Sequence, residues 1–161
     1  MDLKKTAFIT FFPIKPDNMG SSAVINSRYK SWPQKKKIFQ LSHINRFKSR
    51  DIETIYIKKE TPFNKLINLH RIINSAYKFL RKGKSNILVI EGASWIFYSF
   101  CTLIFFKMFL PSTKIIYISH SIEYEIRKKY SNFLIYGLTF LLEYIVLHSA
   151  NISTSVSKIE K

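Results

Sequence analysis

Acidic residues are scarce in this chain. Ten aspartates and glutamates stand against 26 lysines and arginines, a formal net charge of +16 at pH 7 with pI ≈ 10.0. That imbalance says nothing about fold, but it narrows the partners to nucleic acid, an anionic membrane face or phosphorylated small molecules. Basic residues are densest over 4–84, with a run at Lys35, Lys36 and Lys37 that equally suits a solvated face. Cysteine is nearly absent. The single one, Cys101, cannot close an internal disulfide, no zinc-ligand spacing exists, and its apolar run fits a packing residue. Nothing here requires an oxidising compartment. Four glycines and five prolines exclude collagen-like or linker-like character. Two phosphate-binding patterns are also missing: neither G-x-G-x-x-G nor G-x-x-x-x-G-K-[ST] occurs, which argues against a dinucleotide fingerprint and an ATPase. No leader is legible either. The apolar run 7–12 stops at Pro13 without a small-residue cleavage pattern, so a cytoplasmic protein is expected.

What the chain does have is apolar material: 47% hydrophobic and 16% aromatic over 161 residues, enough for one domain with a sizeable core. It falls into short continuous runs. Residues 7–12, 38–41, 54–57, 86–90, 114–119 and 151–156 read as strands, and their unbroken hydrophobicity is that of strands buried on both faces. Helices are expected over 23–32, closed by Pro33 and capped by Ser21 or Ser22; from Thr61-Pro62 to about residue 80; and over 94–110, 122–130 and 133–148. Phe63, Leu66, Ile67, Ile73, Tyr77 and Leu80 mark one face of the second helix, and Gly83 stands where a left-handed terminal residue is favoured. The order β-α-β-β-α-β-α-β-α-α-β implies an α/β fold: a Rossmann-like parallel sheet with helices on both faces.

Two segments compete with that reading. Residues 95–110 and 133–147 are apolar almost all round and approach the ~17 residues that span a bilayer. Each carries one charge, Lys107 and Glu143, and the strand at 115–118 lies between them. Buried or interface-lying helices are the expected outcome, and a small membrane protein built on two apolar helices is the alternative.

Parallel sheets bind ligands at the carboxyl ends of their strands. After the first strand, Gly20-Ser21-Ser22 leads into a helix start, whose free N–H groups and dipole suit phosphate; the same residues also make a plain turn and cap. After the fourth strand come Glu91 and Gly92, where Glu91 either lines a crevice or pairs with one of the many cations. After the fifth, His120 faces the crevice as a hydrogen-bond donor, acid or base, or else serves structure. His120 and Glu123 alone are too few ligands for a metal. No Ser-His-Asp constellation is supported.

In order and motif the chain resembles family-4-type bacterial glycosyltransferases of the GT-B fold. Residues 8–22 look like that family's first strand and glycine-containing loop, and Asn86-Ile87-Leu88-Val89-Ile90-Glu91-Gly92 is similar to its fourth strand. Ser119-His120-Ser121-Ile122-Glu123-Tyr124-Glu125-Ile126-Arg127-Lys128 resembles the family's S-H-N-x-E-Y-E-x-R-K block. Glu143 with residues 149–157 looks like the end of its N-terminal domain. The resemblance implies an enzyme, a glycosyltransferase moving a sugar from a nucleotide-sugar to a lipid-linked or polysaccharide acceptor. It assigns His120 the catalytic place, Gly20, Ser21 and Ser22 the acceptor or phosphate loop, and Glu91, Glu123 and Arg127 the cleft edge, with no metal. It makes residues 1–157 the acceptor-side domain and 158–161 the start of an interdomain connection. It places the chain on the inner face of the cell membrane, an anionic surface, as a cytoplasmic peripheral protein.

Three departures accompany the resemblance. The loop has one glycine where many members have two, and Ser121 stands where Asn or Asp is common. No E-x7-E block occurs, so the donor-binding half that would hold the nucleotide-sugar is missing, and the chain is expected to be inactive alone. The remaining alternative is a basic nucleic-acid-binding module, though no helix-turn-helix, zinc or RNP pattern accompanies the charge.

Overall fold

The computed structural model describes residues 4–14, 20–33, 35–44, 49–83, 86–92, 95–120 and 123–155, without the side chains of residues 123, 124, 126 and 127. The elements follow the expected order: β1 (Lys5–Thr10), α1 (Gly20–Ser31), β2 (Lys35–Ser42), β3 (Ile52–Tyr56), α2 (Pro62–Leu80), β4 (Asn86–Gly92), α3 (Ile96–Phe109), β5 (Lys114–Ser119), α4 (Glu123–Tyr130), α5 (Phe133–Ser149) and β6 (Ile152–Ser155). The six strands form one sheet in the order β3-β2-β1-β4-β5-β6, and every pairing is parallel. This is an α/β, Rossmann-like fold whose strand order reverses between β1 and β4.

Successive side chains of a strand point to opposite faces, so each strand feeds two cores. Ala7, Ile9, Leu88, Ile90, Ile115 and Tyr117 pack under α2, α3 and α5. Phe8, Ile38, Val89 and Ile118 pack on the other face with Ile25 and Tyr29 of α1. Both sides being apolar explains why the strands read as continuous runs. The two apolar segments are α3 and α5, packed against each other, with α3 also on β4. Among the described residues no helix is long and apolar enough to cross a membrane.

Several local expectations need correction. α1 begins at Gly20, so Ser21 and Ser22 lie inside its first turn and do not cap it; the buried Ser22 Oγ instead donates to Pro13 O at 3.0 Å. The expected apolar face of α2 holds only in part. Leu69, Ile72, Ile73, Ala76 and Leu80 are buried, while Phe63, Leu66 and Ile67 are exposed. A helix of 19 residues is about 28 Å long, and the strands beneath it, of five to eight residues, reach about 16–26 Å. The first turns of α2 therefore overhang the sheet's carboxyl end. Gly83 is not left-handed. Its missing Cβ leaves room for Asn86, whose Nδ2 donates to Leu80 O at 2.7 Å and Gly83 O at 2.9 Å and closes the turn. Residues 158–161 lie outside the described ones.

Candidate functional site

The chain leaves β1 through Phe11, Phe12, Pro13 and Ile14, at the point where the strand order reverses. The root of this loop is tied on two sides. Ile14 N donates to Gln40 Oε1 at 3.0 Å, and Gln40 Nε2 donates to Thr54 Oγ1 at 2.8 Å, linking the loop to β2 and β3. Ser22 holds Pro13 from the α1 side. Gly20, the first residue of α1, is exposed, and a Cβ built there meets nothing within 4 Å. Packing does not demand a glycine there, and the space beside its Cα is open. Ser21 is half-buried beside it.

Glu91 sits opposite Ile118 in the β4–β5 register. His120 follows two residues after Ile118 and so shares the α1 face with Glu91. Glu91 is fully buried. Its Oε1 and Oε2 accept from Arg28 Nη1 at 2.6 and 2.8 Å, and Oε2 also meets His120 Nε2 at 2.8 Å. The side chain of His120 is 8% exposed and that of Arg28 23%. A carboxylate ion-paired to arginine can only accept, so Nε2 carries the proton and Nδ1 is left for chemistry. Among the described residues Nδ1 has no hydrogen-bond partner. The arrangement is a carboxylate–imidazole pair with a cation behind it. Such an imidazole is fixed in orientation and in tautomer, ready to accept or, once protonated, donate at Nδ1.

Arg28 lies far in sequence from the strand ends that carry Glu91 and His120 and is not among the residues that position alone marks. The signal was present: Ile25, Arg28 and Tyr29 share one helical face, so a cation stands on the stripe that α1 turns to the sheet. Tyr29, on the same stripe, is pushed up to about 12 by burial and then by the charge of Asp51. It therefore stays protonated, with its hydroxyl reaching Lys36 O at 3.3 Å and Asp51 O at 3.4 Å.

Gly20, Ser21, Ser22, Glu91 and His120 all lie toward the carboxyl end of the sheet, and α1 links them, because Arg28 further along that helix reaches Glu91. The backbones of Glu123 and Arg127 belong to α4, and their side chains lie outside the described ones. Among the described residues no three His, Cys, Asp or Glu side chains gather as metal ligands. An open apolar groove of about 540 Å³, lined by Leu66, Leu69, His70, Ile73, Asn74, Cys101 and Phe105, runs between α2 and α3 on the opposite face of the sheet and does not serve His120. Burial pushes the Cys101 thiol up, which disfavours the thiolate there. Compared with protein-family models and with curated proteins, the chain matches none.

Proposed function

We propose that this chain is the acceptor-side domain of a glycosyltransferase, in which His120 acts on the sugar-transfer site and the Gly20 helix start holds an acceptor phosphate. The observation that carries the reading is the buried Glu91 clamping His120 beside the point where the strand order reverses. A structural histidine has no need of a fully buried carboxylate with its own arginine, because burying those charges is costly. A positioned acid–base or hydrogen-bonding group does need fixed orientation. The open space at Gly20 supports close approach of an anion to the first N–H groups of α1.

In the proposed reaction an acceptor hydroxyl attacks the anomeric carbon of a nucleotide-sugar, its proton passes to His120 Nδ1, and the nucleoside diphosphate leaves with the bonding pair. The acceptor is lipid-linked or a saccharide. The Gly20-Ser21-Ser22 turn binds its phosphate, and His120 Nδ1 hydrogen-bonds a reacting hydroxyl. Glu123 and Arg127 are proposed at the cleft edge. The donor would be held by a second domain, so little or no turnover is expected from these residues alone. No resident cofactor or metal is proposed, and the chain is placed as a peripheral protein on the cytoplasmic, anionic face of the membrane.

The test is NMR titration of the chain with a short prenyl-pyrophosphoryl saccharide. The amides of Gly20, Ser21 and Ser22 and the ring of His120 should shift together, and His120→Ala should weaken binding about tenfold, the loss of one hydrogen bond. Saturating ligand without shifts at either place would overturn the reading. Sequencing downstream of Lys161 tests the proposed second domain: an open frame, or a neighbouring gene, for a donor domain is expected.

A further inference from the structure

We infer that the outward face of α5, continued by the end of α3, is a docking surface for an anionic lipid bilayer. α5 is apolar over most of its circumference, with Thr139 and Glu143 on its buried side and His148 in its last turn. One side enters the core through Thr139, Leu142, Glu143 and Val146. The other side is exposed, with Phe133 at 80%, Leu134 at 77% and Leu141 at 52%. Leu138, Tyr144 and Leu147 extend the same arc along the whole helix. Met108 and Phe109, at the end of the neighbouring α3, are exposed as well, and Tyr130 precedes the helix at 83%. A helix apolar over most of its circumference is normally covered on every side, and a contiguous apolar patch of this extent marks an interaction surface.

Charge selects the occupant. The carboxylate inventory of α3 and α5 is Glu143 alone, and it is buried. The elements bordering α5 carry exposed Lys107 on α3, Lys114 at the start of β5 and Lys128 and Lys129 on α4, against one exposed described carboxylate, Glu125 on α4. A second copy docked symmetrically would bring the same lysines and the same +16 charge against themselves. A bilayer of anionic headgroups offers the opposite sign at the rim and apolar chains at the centre. The helix lies on the bilayer and does not cross it: its other side is held in the core through Leu142, Glu143 and Val146, and among the described residues no helix is long and apolar enough to cross a membrane.

The placement also suits the proposed chemistry, and the inference deepens the membrane part of that reading. The end of α5 is tied to the amino end of the sheet, where Asn151 N donates to Ile115 O at 2.9 Å and Ile115 N donates to Asn151 Oδ1 at 2.8 Å. Phe133, at the other end, is therefore directed to the carboxyl end that carries His120. Docking along α5 lays the sheet's carboxyl end beside the bilayer, with His120 on the α1 side of the sheet and open to an acceptor that reaches past that end.

The experiment is co-sedimentation with vesicles of phosphatidylglycerol and phosphatidylcholine in equal parts, and with phosphatidylcholine alone. Binding to the first and weak binding to the second are expected. Leu134→Glu with Leu141→Glu, both exposed, should lower affinity tenfold or more, since losing two leucine contacts exceeds the ~1.4 kcal/mol that a tenfold change represents. Val24→Glu, on the opposite face, should leave binding unchanged, and circular dichroism should show all variants folded. Equal binding by the α5 variant and the parent would overturn the assigned face. A stable dimer in lipid-free sedimentation equilibrium that the α5 variant dissolves would overturn it in favour of a second copy. Vesicle binding that survives while the prenyl saccharide fails to shift His120 would leave the docking face standing and sink the sugar-transfer reading.

Discussion

A carboxylate with no exposed surface keeps its charge only if neighbours replace the water it has lost. For Glu91 those neighbours are Arg28 and His120. Arg28→Met should therefore cost about 3 kcal/mol in urea unfolding, because it strands a buried charge. Combining it with Glu91→Gln should recover about half of that loss, since the stranded charge is then gone. Strict additivity of the two changes would show that the pair is not coupled. At Gly92 the constraint is space. A Cβ there would run into the ring and hydroxyl of Tyr117, itself only 2% exposed and unable to swing away. Gly92→Ala should lower stability by about 2 kcal/mol, the ordinary cost of overpacking, read from the shift in thermal or urea midpoint. Glu91, Gly92 and His120 were legible as residues at strand ends. Their mutual contact was not, because it depends on which strands become neighbours.

Among the elements, legibility followed locality. Thr61-Pro62 announces α2 by chemistry confined to a few residues, and Thr61 Oγ1 does accept from Asn64 N, at 3.3 Å. Thr61→Ala should cost about 1 kcal/mol, measured by urea denaturation, as should loss of the Asn132 cap that accepts from Ile135 N in α5. The start of α1 differs from the local signal because a partner outside the helix sets it: Ser22 is drawn inward to Pro13 and so cannot cap. The apolar stripe of α2 runs past its buried part, because periodicity records which residues share a face but not where the sheet beneath it ends.

For the whole molecule the dominant quantity is charge. A formal +16 on 19.0 kDa repels itself, and among the described residues the ion pairs that answer it are few, Lys37–Glu53 at 2.7 Å and Lys65–Glu60 at 3.1 Å being two. Raising ionic strength from ~0.01 M to ~0.15 M shortens the screening length from about 30 to 8 Å and should raise the melting temperature, by about 2–4 °C for each kcal/mol relieved. Scanning calorimetry at the two salt concentrations checks this, and an unchanged or lower midpoint would show that repulsion is not what limits stability. The same salt step should weaken vesicle binding without abolishing it, because the apolar face of α5 is not screened.

The order of the eleven elements, the parallel sheet and the strand-end positions of Glu91 and His120 were determined by the sequence itself. Continuous apolar runs, Pro and Gly breaks and helix-start chemistry are all short-range signals. Only the tertiary structure decided that β4 lies between β1 and β5, that Arg28 of α1 reaches across to Glu91, and that one whole side of α5 stays uncovered. Burial on two sides and burial on one leave the same apolar pattern in a helix, and which side meets the core is fixed by what packs against it.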